Sequence, residues 1–120
     1  MAQMQSFGEV LRERRLAKAE SDPAFSLRQL ADRVGIKPSY LSKIERGEQP
    51  PPGEQNIRRL AEELGESPDA LLALAGKVSG DLLEIIRERP TVVAELLRAV
   101  RAVPAKKVSA ISRQIRDGDW

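Results

Sequence analysis

The chain has 120 residues and contains neither cysteine nor histidine. It therefore has no disulfide, no thiol nucleophile, no imidazole base and none of the usual zinc ligands. The serines have no candidate base, and the acidic residues show no paired-carboxylate or metal-binding spacing. These absences predict a protein that is not an enzyme and has no catalytic residue, metal or cofactor.

Long apolar runs and aromatic residues are also scarce. No run approaches the roughly 18 to 20 residues that cross a bilayer, and the start MAQMQSFGEV lacks the pattern of a secretory signal. We therefore expect a soluble, cytoplasmic protein with no membrane partner. Aromatic residues supply 3% of the chain, so Leu, Ile, Val and Ala must form the core. That inventory, without sustained apolar/polar alternation, predicts an all-α protein.

Helix start and stop signals recur along the whole chain and predict seven or eight short helices. Serine or proline marks most of the starts, and glycine or proline most of the ends, as at Gly35 and Gly47. The predicted helices span residues 6–19, 27–34, 38–46, 54–64, 79–89, 90–103 and 105–116, with a further helix opening at 67. A change of pattern after Gly76 divides the chain into domains 1–76 and 77–120.

Two of these helices have the spacing of a helix-turn-helix. Because only Gly35, Ile36 and Lys37 separate the second helix from the third, the two must cross at roughly 90 to 120°. At about 100° per residue, Leu41 and Ile44 share one side of the third helix. The other side is polar and basic, with Ser39, Ser42, Lys43 and Arg46 outward and Tyr40 and Glu45 on the flanks. Such a face fits the major groove of DNA, where base edges present donors and acceptors.

The segment SLRQLADRVGIKPSYLSKIERGEQPPP, residues 26–52, resembles the helix-turn-helix of the Cro and phage-repressor (XRE-like) family of transcription regulators. The resemblance rests on Leu30-Ala31, on Gly35 and on the run SYLSKIERG at 39–47. LAEELGESPDALL at 60–72 resembles the fourth and fifth helices of the family. The likeness covers about residues 7–75 and implies a five-helix, lambda-repressor-like DNA-binding domain.

The polar face and the docking geometry of the family together suggest the residues that contact DNA. Base-reading candidates are Lys37, Pro38, Ser39, Tyr40 and Lys43, and phosphate-binding candidates are Ser26, Leu27, Arg28, Ser42, Arg46 and Gln49. The resemblance also aligns Arg15 and Glu45 with an internal Arg–Glu pair that sets the angle of the recognition helix.

The chain departs from the family pattern in two places. The connection from 16 to 25 is about five residues longer than usual, so the first helix is extended or the loop touches DNA or another subunit. Lys37 stands where the family commonly has a capping Ser or Thr, and a cation cannot accept a backbone N–H. We expect Pro38 to compensate by presetting the first turn.

The C-terminal helices carry more large aliphatic residues than they need to cover a five-helix domain. We expect them to pair two subunits, although a three-helix cover within one chain is the alternative. The candidate dimerisation residues are Val93, Leu96, Leu97, Val100, Val103, Ile111 and Ile115. Trp120 either packs back or lies in an interface.

The net charge of +2 is too small to indicate a nucleic-acid partner by itself. Residues 1–60 nevertheless hold 11 basic against 8 acidic residues, whereas residues 61–120 hold 9 against 10. We predict a homodimeric repressor that binds an inverted repeat of double-stranded DNA. The alternatives are an antitoxin that regulates its own operon and a protein-binding coactivator or adaptor. The sequence does not decide whether a toxin, an antirepressor or a protease is a further partner.

Overall fold

The computed structural model describes residues 6–120, so residues 1–5 of the predicted first domain lie outside the described range. Within that range the chain forms eight α-helices and no strand, which confirms the all-helical prediction. The helices are α1 (Phe7–Ala19), α2 (Leu27–Val34), α3 (Pro38–Glu45), α4 (Glu54–Leu64), α5 (Pro68–Leu74), α6 (Gly80–Glu88), α7 (Pro90–Val100) and α8 (Ala105–Arg116). The chain divides into two compact units, Met1–Ser79 and Gly80–Trp120.

An apolar core holds the first unit together, and each of its five α-helices contributes to it. Apolar residues three and four apart on one helix share a face, so every helix turns one stripe inward. The buried cluster consists of Phe7, Leu11, Leu30, Ala31, Val34, Leu41, Ile44, Ile57, Leu60, Ala61, Leu64, Leu71 and Leu72. Since α2 and α3 both contribute to this cluster, the core fixes their crossing.

The turn between α2 and α3 depends on Gly35. This glycine has a φ of 85°, a left-handed conformation that residues with a side chain adopt only at a cost. The amides of Gly35 and Ile36 both donate to the carbonyl of Ala31, at 2.9 and 3.0 Å, which closes the end of α2. The chain can then enter α3 after only one further residue, Lys37.

The long connection between α1 and α2 contains a structure that the sequence did not predict. Pro23–Phe25 forms one turn of 3-10 helix, in which the Asp22 carboxylate accepts from the Ala24 amide at 2.9 Å. Phe25 packs against the core, and its ring centroid lies 5.3 Å from the ammonium of Lys18 and 5.0 Å from the guanidinium of Arg33. The helix α1 occupies residues 16–19 of the connection, and Phe25 holds the remainder against its own unit.

The second unit contains α6, α7 and α8. The sequence pattern placed the end of α7 at Val103, and this was wrong, because the helix ends at Val100. A turn follows in which the Val103 amide donates to the Val100 carbonyl at 3.0 Å. Pro104 contributes to this ending, because it has no N–H to bond the Val100 carbonyl and it disfavours helical geometry in Val103.

No side chain between residues 80 and 120 is buried. Aliphatic residues of all three helices are exposed instead, among them Leu82, Leu83, Ile85, Val92, Leu96, Leu97, Ile111 and Ile115. Several of them line a groove of about 580 Å³ together with Val93. Among residues 6–120, no helix is both long and apolar enough to cross a membrane.

Candidate nucleic-acid interface

The helix α3 presents two chemically different sides. Leu41 and Ile44 are fully buried in the core, which fixes the rotation of the helix about its axis. Ser39 and Lys43 are exposed, and Tyr40 is half-buried. Within residues 6–120, no ion pair or hydrogen bond holds the ammonium of Lys43. The exposed side of α3 thus carries a free cation beside a hydroxyl, groups that suit hydrogen bonding to base edges.

The start of α3 has the chemistry expected for Lys37 and Pro38. Lys37 precedes the helix with extended backbone angles, φ −72° and ψ 138°, and its side chain makes no capping hydrogen bond. Pro38, half-buried, is the first helical residue, where its missing N–H costs nothing. The exposed Lys37 side chain, which the described part of the chain leaves unpaired, lies at the start of α3.

Arg15 of α1 and Glu45 of α3 form a buried ion pair with two contacts. The Arg15 Nε donates to Glu45 Oε2 at 2.7 Å, and Nη2 donates to Oε1 at 2.9 Å. The two residues are only 7% and 6% exposed. Arg15 Nη1 also donates to the Phe25 carbonyl at 3.3 Å. One guanidinium therefore links Glu45, the last residue of α3, to Phe25, the residue that precedes Ser26.

The start of α2 offers backbone and side-chain donors. Ser26 caps the helix, since its hydroxyl accepts from the Gln29 amide at 3.2 Å. The amides of Leu27 and Arg28 have no acceptor within residues 6–120, as is usual in the first turn of a helix. Arg28 is exposed and Leu27 is half-buried. These groups provide partial and full positive charge at the helix start.

In the loop after α3, one predicted phosphate-binding side chain already has an acidic partner. Arg46 Nε lies 2.5 Å from Glu48 Oε2, so this cation has a neighbouring acid that sequence reasoning did not consider. Both side chains are more than half exposed, which makes the pair weak and easily exchanged. Gln49 is exposed, and its amide donates to the Lys43 carbonyl at 3.3 Å.

The structure brings together some of the phosphate-binding candidates and leaves others apart. Leu27, Ser42 and Arg46 line one cleft between α1, α2 and α3. Gln49 instead lines a second cleft of about 450 Å³, together with the start of α1 and Leu74. Ser26 and Arg28 line neither cleft.

Sequence reasoning missed Arg12, which lines the cleft of Leu27, Ser42 and Arg46. A signal was available, because Arg12 precedes Arg15 by three residues and therefore shares its face of α1. Phe25 and Arg33, which anchor the long connection, were also missed. Arg33 donates to the Ala24 carbonyl and pairs with Glu63 at 2.8 Å.

The candidate dimerisation residues lie in the second unit with different exposures. Leu96, Leu97, Ile111 and Ile115 are exposed, whereas Val93, Val100 and Val103 are half-buried. Trp120, at 89% exposure, does not pack back onto the described chain.

Comparison with known proteins gives one match. The model of a family described as a helix-turn-helix domain matches residues 6–75, which is the segment that contains α1 to α5. Domains of this kind bind DNA and are typically not enzymes. The comparisons with curated proteins and with solved structures return no match.

Proposed function

The chain belongs to the helix-turn-helix domain family of DNA-binding regulators, and we propose that it is a sequence-specific repressor acting as a homodimer on an inverted repeat. The observation that carries this proposal is the exposed side of α3. Lys43 and Ser39, both exposed, lie opposite the buried Leu41 and Ile44, so the packing of the core turns the polar face outward. A helix fits the major groove, where each base pair has its own pattern of donors and acceptors.

Each base-reading candidate has a defined role in the proposal. Lys43 donates to O6 or N7 of guanine, the commonest acceptor pair for a basic side chain. Ser39 is short enough to let the helix approach the bases, and the Tyr40 ring contacts a thymine methyl group or a phosphate. Lys37, with Pro38 behind it, reaches a base edge or a phosphate at the entrance of α3.

Phosphate contacts on both sides of α3 position the helix but do not choose the sequence. On one side, Ser26, Leu27 and Arg28 offer the start of α2. On the other side, Ser42, Arg46 and Gln49 follow the recognition helix into its loop. Arg46 exchanges its exposed pair with Glu48 for a backbone phosphate, which carries the same single negative charge and accepts two parallel N–H bonds from a guanidinium.

Two alanine variants separate base reading from phosphate binding. The ligand is a duplex selected from a random pool of DNA. Lys43→Ala should weaken binding to this duplex by about 1 to 3 kcal/mol and reduce the selectivity for one base pair. Arg46→Ala should weaken binding equally on selected and unrelated duplexes. Fluorescence anisotropy measures both losses, with Lys106→Ala of α8 as the charge-matched control. Equal, sequence-independent losses for Lys43→Ala and Arg46→Ala would remove the recognition-helix assignment.

The homodimer is proposed from the exposed surfaces of the second unit. Its helices have 9, 11 and 12 residues and bury no side chain, whereas isolated helices shorter than about 12 to 15 residues are marginal in water. A second copy presents the same aliphatic residues and buries them in a symmetric interface. Two-fold symmetry would also suit an inverted repeat, in which two recognition helices bind successive major grooves about 34 Å apart, one turn of DNA.

A charged substitution in the groove tests the homodimer. Leu96→Asp should convert a dimer to a monomer in sedimentation equilibrium and weaken binding to the selected duplex. Thr91→Asp adds the same charge at an exposed position of α7 outside the groove and should leave the dimer intact. A wild-type chain that is monomeric while it binds a single half-site would contradict the homodimer. That result would favour the antitoxin alternative, because the exposed aliphatic residues would then be open to a toxin.

A further inference from the structure

We propose that Arg12 of α1 forms, with Ser42, Arg46 and Leu27 at the start of α2, a cleft that binds one phosphodiester group of the DNA backbone. The inference rests on the proposed function and adds a third helix to the DNA contact. It makes α1, which carries no base-reading or phosphate candidate from the sequence, part of the binding surface.

The cleft has the size and the lining of a small anion site. It encloses about 260 Å³ and is lined by Arg12, Arg15, Leu27, Ser42, Glu45 and Arg46. Three helices meet there, so the lining comes from positions far apart in the sequence. The Ser42 hydroxyl is half-buried and can donate to an oxygen in the cleft.

The charges of the lining favour an anion. Arg15 and Glu45 neutralise each other through bonds of 2.7 and 2.9 Å. Arg12 is exposed, and no ion pair or hydrogen bond engages it anywhere in residues 6–120. Arg46 shares its charge only with the exposed carboxylate of Glu48. Two guanidinium groups therefore line the cleft, Arg12 without a partner among residues 6–120 and Arg46 in a weak pair.

The chemistry points to phosphate, and the position points to DNA. Guanidinium groups match phosphate oxygens through two parallel N–H bonds, and the Leu27 amide in the first turn of α2 adds a further donor. The cleft lies between the start of α2 and Ser42 of the recognition helix. The cleft borders α3, so the proposal places in it a phosphate of the strand that flanks the major groove.

The test compares two arginines of α1 in the full chain. Arg12→Gln removes the proposed contact, whereas Arg14→Gln removes the same charge from a side chain that faces Glu66 at 3.4 Å and does not line the cleft. Anisotropy titrations over a range of salt concentrations give the slope of log K against log salt. Arg12→Gln should reduce that slope by about 0.9 for each bound subunit, with equal losses on selected and unrelated duplexes.

The other variants should leave the slope close to that of the wild type. Arg14→Gln makes no proposed contact, and Arg12→Lys restores the charge in the cleft. Far-ultraviolet circular dichroism should be the same for all four proteins, because Arg12 and Arg14 are exposed.

The outcomes separate this inference from the proposed function. If Arg12→Gln keeps the wild-type slope while Lys43→Ala still loses base discrimination, the cleft proposal is overturned and the recognition helix stands. If the wild-type chain binds no duplex from the random pool, the cleft proposal and the proposed function are both overturned. A further experiment adds inorganic phosphate at constant ionic strength and measures whether it stabilises the protein. Stabilisation by phosphate that needs Arg12, without a change in the DNA slope, assigns the cleft to a free anion and also overturns the proposal.

Discussion

The buried pair between Arg15 and Glu45 gives the sharpest prediction for stability. The variant Glu45→Gln keeps the size of the side chain and removes its charge. The Arg15 guanidinium then remains buried with a neutral partner, although the Phe25 carbonyl still accepts from Nη1 and the amide oxygen can accept one bond. The variant therefore loses the charge of the partner and one of the two oxygens that accept from Arg15, without a change in the size of the side chain.

The burial of the pair determines how much free energy of unfolding the Glu45→Gln variant should lose. Breaking a buried pair costs about 3 to 5 kcal/mol, because an uncompensated charge is left in the interior. The remaining bond to Phe25 puts the expectation at the lower end, about 3 kcal/mol. Exposed pairs contribute only about 0.2 to 1 kcal/mol. Arg33 and Glu63, 2.8 Å apart but with side chains 30% and 36% exposed, supply the matched control.

Urea unfolding at one protein concentration, followed by far-ultraviolet circular dichroism, measures the difference. Glu45→Gln should lower the urea concentration at the unfolding midpoint by about 1 M or more, without changing how steeply the free energy of unfolding falls with urea. Glu63→Gln should shift the midpoint only slightly. The double variant Arg15→Met with Glu45→Leu should recover much of the loss, since no buried charge remains. A loss for Glu45→Gln no larger than that for Glu63→Gln would refute the argument from burial.

Two further predictions concern single positions. Gly8→Ala should destabilise the first unit by about 1 to 3 kcal/mol in thermal unfolding, because a Cβ there overlaps the Ile44 carbonyl oxygen and lies 3.0 Å from that of Glu45. Gly53→Ala, which meets nothing within 4 Å, is its control, and similar losses for both would argue against close packing at Gly8. Lys37→Ser should raise the free energy of unfolding by about 1 kcal/mol, because it supplies the missing cap of α3, and should alter binding to the selected duplex. An unchanged unfolding midpoint would count against that cap.

The helices of the first unit could be predicted from the sequence, because the signals for a helix and for its end lie within a few neighbouring residues. Leu27, Leu30, Ala31 and Val34 repeat at helical spacing, and Gly35 supplies the left-handed residue that ends α2. The same spacing separates the buried from the exposed side of α3. Rotation of a helix against a core follows from its own apolar stripe, so the polar face could be identified without coordinates.

Contacts between distant residues were harder to predict. The 3-10 turn at Pro23–Phe25 is too short to have a periodic signal. It is held by tertiary contacts, namely the stacking of Lys18 and Arg33 on Phe25 and the bond from Arg15 to its carbonyl. The pairing of Arg15 with Glu45, 30 residues apart, came from a family resemblance rather than from periodicity.

The sequence by itself determined which helices form and which side of each is apolar, because propensity, capping and the helical period act over a few residues. It also excluded the chemistry of cysteine and histidine, since a side chain that is absent cannot act. Only the tertiary structure decided which charges meet. Arg12, Ser42 and Arg46 share one cleft, and Glu48 shares the charge of Arg46, because the crossing of α1, α2 and α3 brings their side chains together. Charge neutralisation depends on distances of a few ångströms, and those distances exist only once the core has packed.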